Sequence, residues 1–484
     1  MRKLTVLLVL IPFLSSLAQI TFQKNYGTYL HEQAHAVMQT SDGGYILVGD
    51  QSTGGLNPDI YVVKTNEFGD TSWTRIYERT YSSIARAVLE TSDGFLVAGS
   101  DVVTIAPGRF DFFLMKIDYQ GDTVWTRTYG GSKDEQAFDL KATPDGGYIL
   151  CGQAEEVGGG EMSYWLVKTS SSGDSIWAKK YGRGPDDRLY GKSVQVTSDG
   201  GYIIAGYVDD RTVGTSADYI YLVKTGADTV SWTKSIDLPG SELAYDVQEV
   251  SDGFVIVGHS NTLGTGGWEI FLLKTDTLGN ELWTRTYGDS SDERAYSVEK
   301  MADDGFLICG MTRSMGAGSS DYYLIRTDSL GDTLWTRTYG GTSSDEAFDA
   351  HPTDDGGYVI AGYSQSYTAG WADFFLVKTN AEGLVPIVQT REMEVIQSIH
   401  LYQNYPNPFN PVTTIEFQIP NTDLVSIKIY DILGREITTL LDKTLPAGWH
   451  QVHWDAGTVP SGVYFYRLQI GKNFVANKKM LLIR

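Results

Sequence analysis

The sequence predicts an all-β fold: a seven-bladed β-propeller of four-stranded repeats, followed by an Ig-like β-sandwich. Two observations carry this reading. The phrase WTRTYGG, or a variant, returns at a near-fixed interval, with Trp73, Trp125, Trp177, Trp232, Trp283 and Trp335 lying 52, 52, 55, 51 and 52 residues apart. Between the tryptophans the order of signals barely changes: an acidic pair, a short apolar run, DGG or DGF, a strand ending in Ala-Gly or a close variant, a Gly/Ser-rich stretch, then LVKT and GDTxW. A fixed period near 50 residues means one supersecondary unit repeated in an array.

Each period codes for four strands. Gln136–Thr143 alternates and reads as a first strand. Asp145-Gly146-Gly147 follows as a tight turn, because glycine accepts positive φ without a Cβ clash. Tyr148–Gly152 is nearly all apolar, which predicts a second strand buried on both faces. Tyr164–Thr169 is the third strand, Ser172-Gly173-Asp174 turns the chain, and Ser175–Gly182 is the fourth. Four antiparallel strands per period suit a propeller blade.

The count gives the ring. DGG-type turns occur at Asp42, Asp93, Asp145, Asp199, Asp252, Asp304 and Asp355. Third strands end at Lys64, Lys116, Lys168, Lys224, Lys274, Arg326 and Lys378. Only six tryptophan-bearing strands follow a third strand. The seventh copy is N-terminal, at Ile20–Gly27, with Phe22 in the tryptophan position 51 residues before Trp73. That strand is expected to complete blade seven and so to remove two exposed sheet edges.

Residues 1–18 read as a signal peptide: Arg2 and Lys3, an apolar Leu4–Leu14, then Ser16-Leu17-Ala18. The propeller is expected at 19–383, a linker at 384–400 and the second domain at 401–484. The apolar start is too short for a membrane span, and no later segment reads as one. Net charge is −22, yet from Leu401 onward eight Lys/Arg stand against six Asp/Glu, so the acidity lies in the repeats. That argues against nucleic acid and anionic membrane surfaces as partners. Cys151 and Cys309 fall at equivalent places in blades almost opposite each other, which predicts two small buried residues and no bridge.

The repeats resemble those of secreted bacterial β-propeller repeat proteins. Their turn TDSLGDTLW (Thr327–Trp335) is similar to the Asp-box and tryptophan-docking turns of other propellers, where it staples the blade. The tail carries three further motifs: YPNPFNP (Tyr405–Pro411), IYDILGRE (Ile429–Glu436), and SGVYFYRL followed by a basic KKM. On these it resembles the type A C-terminal sorting domain of the type IX (Por) secretion system, related to the Ig-like domain of flagellar hook-capping proteins. The resemblance implies export through the periplasm to the medium or the cell surface. It implies the type IX machinery and a sortase-like peptidase as partners. Gly462 and Tyr464 are then expected to shape a strand, and Lys478, Lys479 and Met480 to form the end that the machinery grips.

No catalytic constellation emerges, so the chain is expected not to be an enzyme and to need no cofactor. A G-x-S-x-G elbow and a P-loop are both missing from the sequence. His31 and His35 are four apart on a loop-to-strand junction, with no third ligand near in sequence. Acidic pairs precede four first strands: Asp134-Glu135, Asp186-Asp187, Asp292-Glu293 and Asp345-Glu346. They should surround one mouth of the central channel, where they could hold Ca²⁺ or cap backbone; regular repetition favours caps. Trp268 and Trp371, just ahead of third strands, could stack on a glycan. The function expected is non-catalytic binding of an extracellular protein or glycan. The alternatives are a carbohydrate-active hydrolase or lyase, and a structural surface-layer or adhesin component.

Overall fold

The computed structural model describes residues 19–483 except 54–55, 80, 105–108, 157–159, 184–186, 211–216, 227–228, 264–266, 369, 386–398, 405–406, 421, 446–447, 458 and 472–473. The expected signal peptide and most of the expected linker lie outside the described residues. The chain divides into two compact units between Pro386 and Ile387.

The first unit consists of seven four-stranded antiparallel blades. In the third, Glu135–Ala142, Tyr148–Glu155, Met162–Thr169 and Ser175–Tyr181 pair in chain order. A single parallel bridge, Met162 with Arg188, joins this blade to the fourth. Second and third strands are almost wholly buried because each lies between two neighbouring blades.

One irregularity recurs in every first strand. The pairing slips by a residue, leaving a bulge at His35, Arg86, Phe138, Lys192, Tyr245, Tyr296 and Phe348. Facing each bulge is a second-strand glycine: Gly49, Gly99, Gly152, Gly206, Gly258, Gly310 and Gly362. A Cβ on any of them would sit 1.8–2.0 Å from the carbonyl oxygen two residues before the bulge. The recurrent Ala-Gly is therefore the space into which the bulged backbone presses.

Two further motifs are staples. The basic residue ending each third strand is buried and pairs with the acidic residue of its own first turn. Lys64–Asp42 spans 2.9 Å, Lys116–Asp93 2.6 Å, Lys168–Asp145 2.8 Å, Lys224–Asp199 2.7 Å and Lys378–Asp355 2.9 Å. Lys274–Asp252 and Arg326–Asp303 complete the set. In blade six the partner is thus Asp303, not Asp304 as the count from sequence had it. Asp304 takes the left-handed place, φ 63°, that glycine holds in the other DGG turns. The second staple is WTRTY, whose Trp, Arg and Tyr share one strand face. Trp125 packs on Gly173 of the next blade, where a Cβ would lie 2.6 Å from its ring. The Tyr129 hydroxyl donates to the Gly173 carbonyl at 2.5 Å, and Arg127 lies 5.3 Å over the indole. These tryptophans are half-buried rather than core, because the fourth strand is outermost.

Phe22–Tyr26 pairs with Asp373–Thr379 and closes blade seven. It carries the same clamp: Phe22 meets Gly69, and the Tyr26 hydroxyl donates to the Gly69 carbonyl at 2.6 Å. First strands neighbour one another all the way round, including the first and seventh. Seven separate apolar cores fill the seven blade interfaces. The closure core holds eleven buried residues, as many as the core between blades six and seven, so closure is not a weak seam. Cys151 and Cys309 sit in different interface cores, both as free thiols.

The second unit packs a three-stranded sheet, in order His400–Leu401, Val412–Ile419, Gly448–Asp455, against a four-stranded one. The latter runs Glu436–Leu445, Asp423–Tyr430, Gly462–Ile470, Phe474–Leu482. Their facing side chains form one core that includes Phe417, Ile427, Trp454 and Tyr466. His400, placed in the linker from sequence, already pairs with Gln418.

Two outcomes follow. Gly310→Ala should lower the stability of the ring by about 3 kcal/mol, because the intruding atom meets backbone and not a movable side chain. Gly146→Ala, at a turn with open space and φ 81°, should cost only about 1 kcal/mol; equal losses in urea titrations would refute the close-approach account. Deleting Ile20–Gly27 should expose the Asp373–Thr379 edge and produce aggregates in size-exclusion chromatography, whereas a monomer with unchanged melting temperature would contradict closure by this strand.

Candidate functional site

The bulges aim seven side chains into the central channel, which contains a cavity of about 550 Å³. The bulge residues form its inner end. The Lys192 ammonium lies 3.8 Å from the Phe138 ring centroid and 5.7–5.9 Å from those of Tyr190, Tyr207 and Tyr245. The Arg86 guanidinium stands 5.8 Å from the same Phe138 ring. Its Nη1 is 3.4 Å from His35 Nδ1, and His35 Nε2 is 2.8 Å from an Asp50 carboxylate oxygen. Burial, and then the Arg86 charge, push the Lys192 ammonium down to about 7. The same two causes lower His35.

The residue after each bulge forms a belt. Asp139 accepts from the Val194 amide, Asp246 from Val298 and Asp349 from Val37, each at 2.9 Å. Ser193 donates to Asp246 at 2.6 Å and Ser297 to Asp349 at 3.3 Å. The belt thereby runs from blade three round to blade one, across the closure. Burial raises Asp246 to about 7. Two residues further along lie Lys141, 3.0 Å from Asp139, and His351. His351 Nδ1 is 2.8 Å from Glu299 and its Nε2 is 3.2 Å from Asp349, an arrangement that suits an imidazolium. Burial opposes the charge, but Asp349 and Glu299 outweigh it and raise His351 well above its ordinary value.

From there the lining continues to Thr40, Ser41, Glu90 and Asp354, at the turns that follow the first strands. The acidic pairs begin the first strands and so lie at the opposite end. Five of them cap backbone on separate blades, the alternative that regular repetition favoured. Glu135, Glu293 and Asp345 are buried and accept amides four residues upstream, from Gly131, Asp289 and Gly341 at 3.2, 3.0 and 2.8 Å. Asp134 and Asp292 cap the preceding blade's third strand, at Phe110 and Trp268, with 3.2 and 3.1 Å bonds. Asp187 is buried, and Asp186 lies outside the described residues. Glu346 sits two residues before its bulge and Glu135 three, so pairs that look alike in sequence stand in different registers. Among the described residues no group of three His, Cys, Asp or Glu could hold a metal ion.

Trp268 is half-buried, its ring 5.1 Å from that of His259, whereas Trp371 is 73% exposed. Both precede third strands, at the end remote from the cavity lining. The bulge residues escaped the reading of the sequence because His, Arg, Phe, Lys and Tyr share no chemistry. The available signal was the small residue before each, Ala34, Ala85, Ala137, Gly191, Ala244, Ala295 and Ala347.

In the tail, Gly462 opens a strand whose Tyr464 pairs with Met480 of the last strand. Tyr464 is buried against Trp454, ring centroids 5.6 Å apart, with its hydroxyl donating to the Pro460 carbonyl at 2.7 Å. Met480 is fully buried, Lys478 half-buried and Lys479 exposed. Met480 thus belongs to the core of this unit. Part of the terminal edge is also taken, since Phe409 exchanges 3.0 Å backbone bonds with Leu481 and Ile483, and Asn407 accepts the Leu481 amide at 2.9 Å.

Residues 403–483 match the family described as secretion system C-terminal sorting domain. The chain is therefore one exported by type IX secretion to the cell surface or extracellular space, and no helix among its described residues is long and apolar enough to cross a membrane. No curated protein matches it. Solved structures similar to it include the extracellular domain of a hybrid two-component system from B. thetaiotaomicron, at 8% identity and TM-score 0.38, covering 93% of this chain and 55% of that one. This chain thus spans little more than half of that relative. The Trypanosoma rangeli sialidase shows 10% identity and TM-score 0.36, with 85% and 86% covered. A puromycin hydrolase shows 11% identity and TM-score 0.44, with 80% and 58% covered. Likenesses at these scores carry no argument about function.

His351 makes the cavity wall pH-dependent. A raised folded pKa contributes stability that is complete below the ordinary value of 6.5 and is lost as pH rises through the folded value. The melting-temperature difference between the native chain and His351→Gln should be largest near pH 6 and shrink toward alkaline pH. A difference that stays constant with pH would refute the paired imidazolium.

Proposed function

We propose that the chain is a non-catalytic extracellular binding protein. Its ring takes a glycan or a protein segment into the central cavity, and its Ig-like tail carries it out after an N-terminal signal peptide delivers it to the periplasm. One observation carries the binding reading. At the bulge the seven blades present side chains of mixed chemistry, His35, Arg86, Phe138, Lys192, Tyr245, Tyr296 and Phe348, converging on one cavity. Polar, charged and aromatic side chains that converge on one concave surface are what recognition of a ligand requires. The groups that could serve as acid and base there already hold the ring: Asp139, Asp246 and Asp349 bind backbone amides, and His351 lies between two carboxylates. A carbohydrate-active hydrolase is the second reading, with Asp246, raised to about 7, as its acid.

The tail engages the type IX machinery, and a sortase-like peptidase then releases or anchors the ring. The two units have separate cores, so the tail should act on any folded cargo. Leu384–Arg484 fused behind a signal peptide and a fluorescent protein, in a host with type IX secretion, should bring the cargo to the surface or medium. Cargo held in the periplasm while the full-length chain is exported would overturn the assignment of export to the tail alone.

A further inference from the structure

We propose that the inner end of the cavity binds the carboxylate of an acidic sugar between Lys192 and Arg86; this rests on the binding reading above. The two cations come from blades four and two and share the Phe138 ring of blade three, at 3.8 and 5.8 Å from its centroid. Among the described residues Lys192 makes no ion pair; its neighbours are aromatic faces. Arg86 reaches His35, and Asp50 is bonded to His35. Two like charges are thus left without a bonded carboxylate in a chain of net charge −22. Their mutual repulsion is part of what depresses the Lys192 pKa. An anion between them would relieve that repulsion and hold Lys192 charged.

The wall further out narrows the ligand class. Asp139, Asp246, Glu299, Ser193, Ser297 and Gln248 present carboxylate, hydroxyl and amide groups, beside Lys141 and His351. They suit the hydroxyls of a sugar, which both donate and accept, whereas a free sulfate offers them no hydroxyl. The Tyr296 and Phe348 rings line the same cavity and offer apolar area for the C–H face of a pyranose. One carboxylate, several hydroxyls and an apolar ring face together describe a uronate-type sugar, and about 550 Å³ accommodates one or two such units.

The test is calorimetric titration of the full-length mature protein with glucuronate and galacturonate, alongside glucose, benzoate and sulfate. A uronate should bind at least tenfold more tightly than glucose, benzoate or sulfate. Lys192→Met and Arg86→Met should each weaken uronate binding at least tenfold, Lys192→Arg should retain it, and affinity should fall as pH rises above 7. Melting temperatures measured without ligand show whether each variant is folded. Uronate binding unchanged in folded Lys192→Met, or matched by benzoate or sulfate, overturns the proposal. A neutral glycan or peptide that binds equally to native and Lys192→Met protein, and is lost in Asp246→Asn, also overturns it while leaving the binding reading intact. If no probe binds the ring at all, the acidic-sugar assignment falls.

Discussion

The ring depends on one close approach, a first-strand carbonyl lying over a second-strand glycine in every blade. No other residue leaves room for it, since a Cβ would come within 1.8–2.0 Å of the oxygen. The approach lets the first strand take one extra residue, and a bulge turns that side chain out of the pleat. The next residue then points inward as well, which is how Asp139, Asp246 and Asp349 reach the amides of the following blades. The most regular feature of the repeat thus creates a position whose side chain changes from blade to blade.

Charge is sorted by depth around this frame. At the turns, an exposed aspartate holds a buried lysine or arginine, so the cation's stem fills a blade while the carboxylate stays hydrated. At the strand starts, buried carboxylates accept from backbone amides and hydroxyls, as Glu293 does from Asp289 and Thr312. In the channel, the Asp belt is neutralised in part by Lys141 and His351. Lys192 and Arg86 stand outside this scheme, compensated by ring faces and a histidine. Lys192 and Arg86 thus bring positive charge to one end of the cavity without a bonded carboxylate.

The tail shows motif residues working first as structure. Asn407 and Phe409 of YPNPFNP clip the last strand, and buried Phe409 packs 5.5 Å from Trp454. Asn404 donates its amide to the Tyr466 hydroxyl, which itself donates to the Tyr402 carbonyl, so the segment before the clip is fixed to the centre of the four-stranded sheet. Machinery that recognises this domain meets an assembled surface on which Lys479 is exposed and Met480 is not.

The sequence by itself determined the period, the four strands per blade, the seven blades and the closing role of Phe22. These follow from local turns, from alternation and from spacing, which a single chain displays without knowledge of its partners. WTRTY and DGG were legible as staples, although only the structure paired Asp303, rather than Asp304, with Arg326. The tertiary structure alone decided where the cavity lies and what lines it. A bulge changes side-chain parity by one residue and is set by the strand opposite, so period-2 reading passes over it. His35 and Phe348 are 313 positions apart, yet their rings lie 5.5 Å apart once the first strands close into a ring. Which member of each acidic pair caps backbone was hidden for the same reason, since Glu346 stands one residue nearer its bulge than Glu135 does.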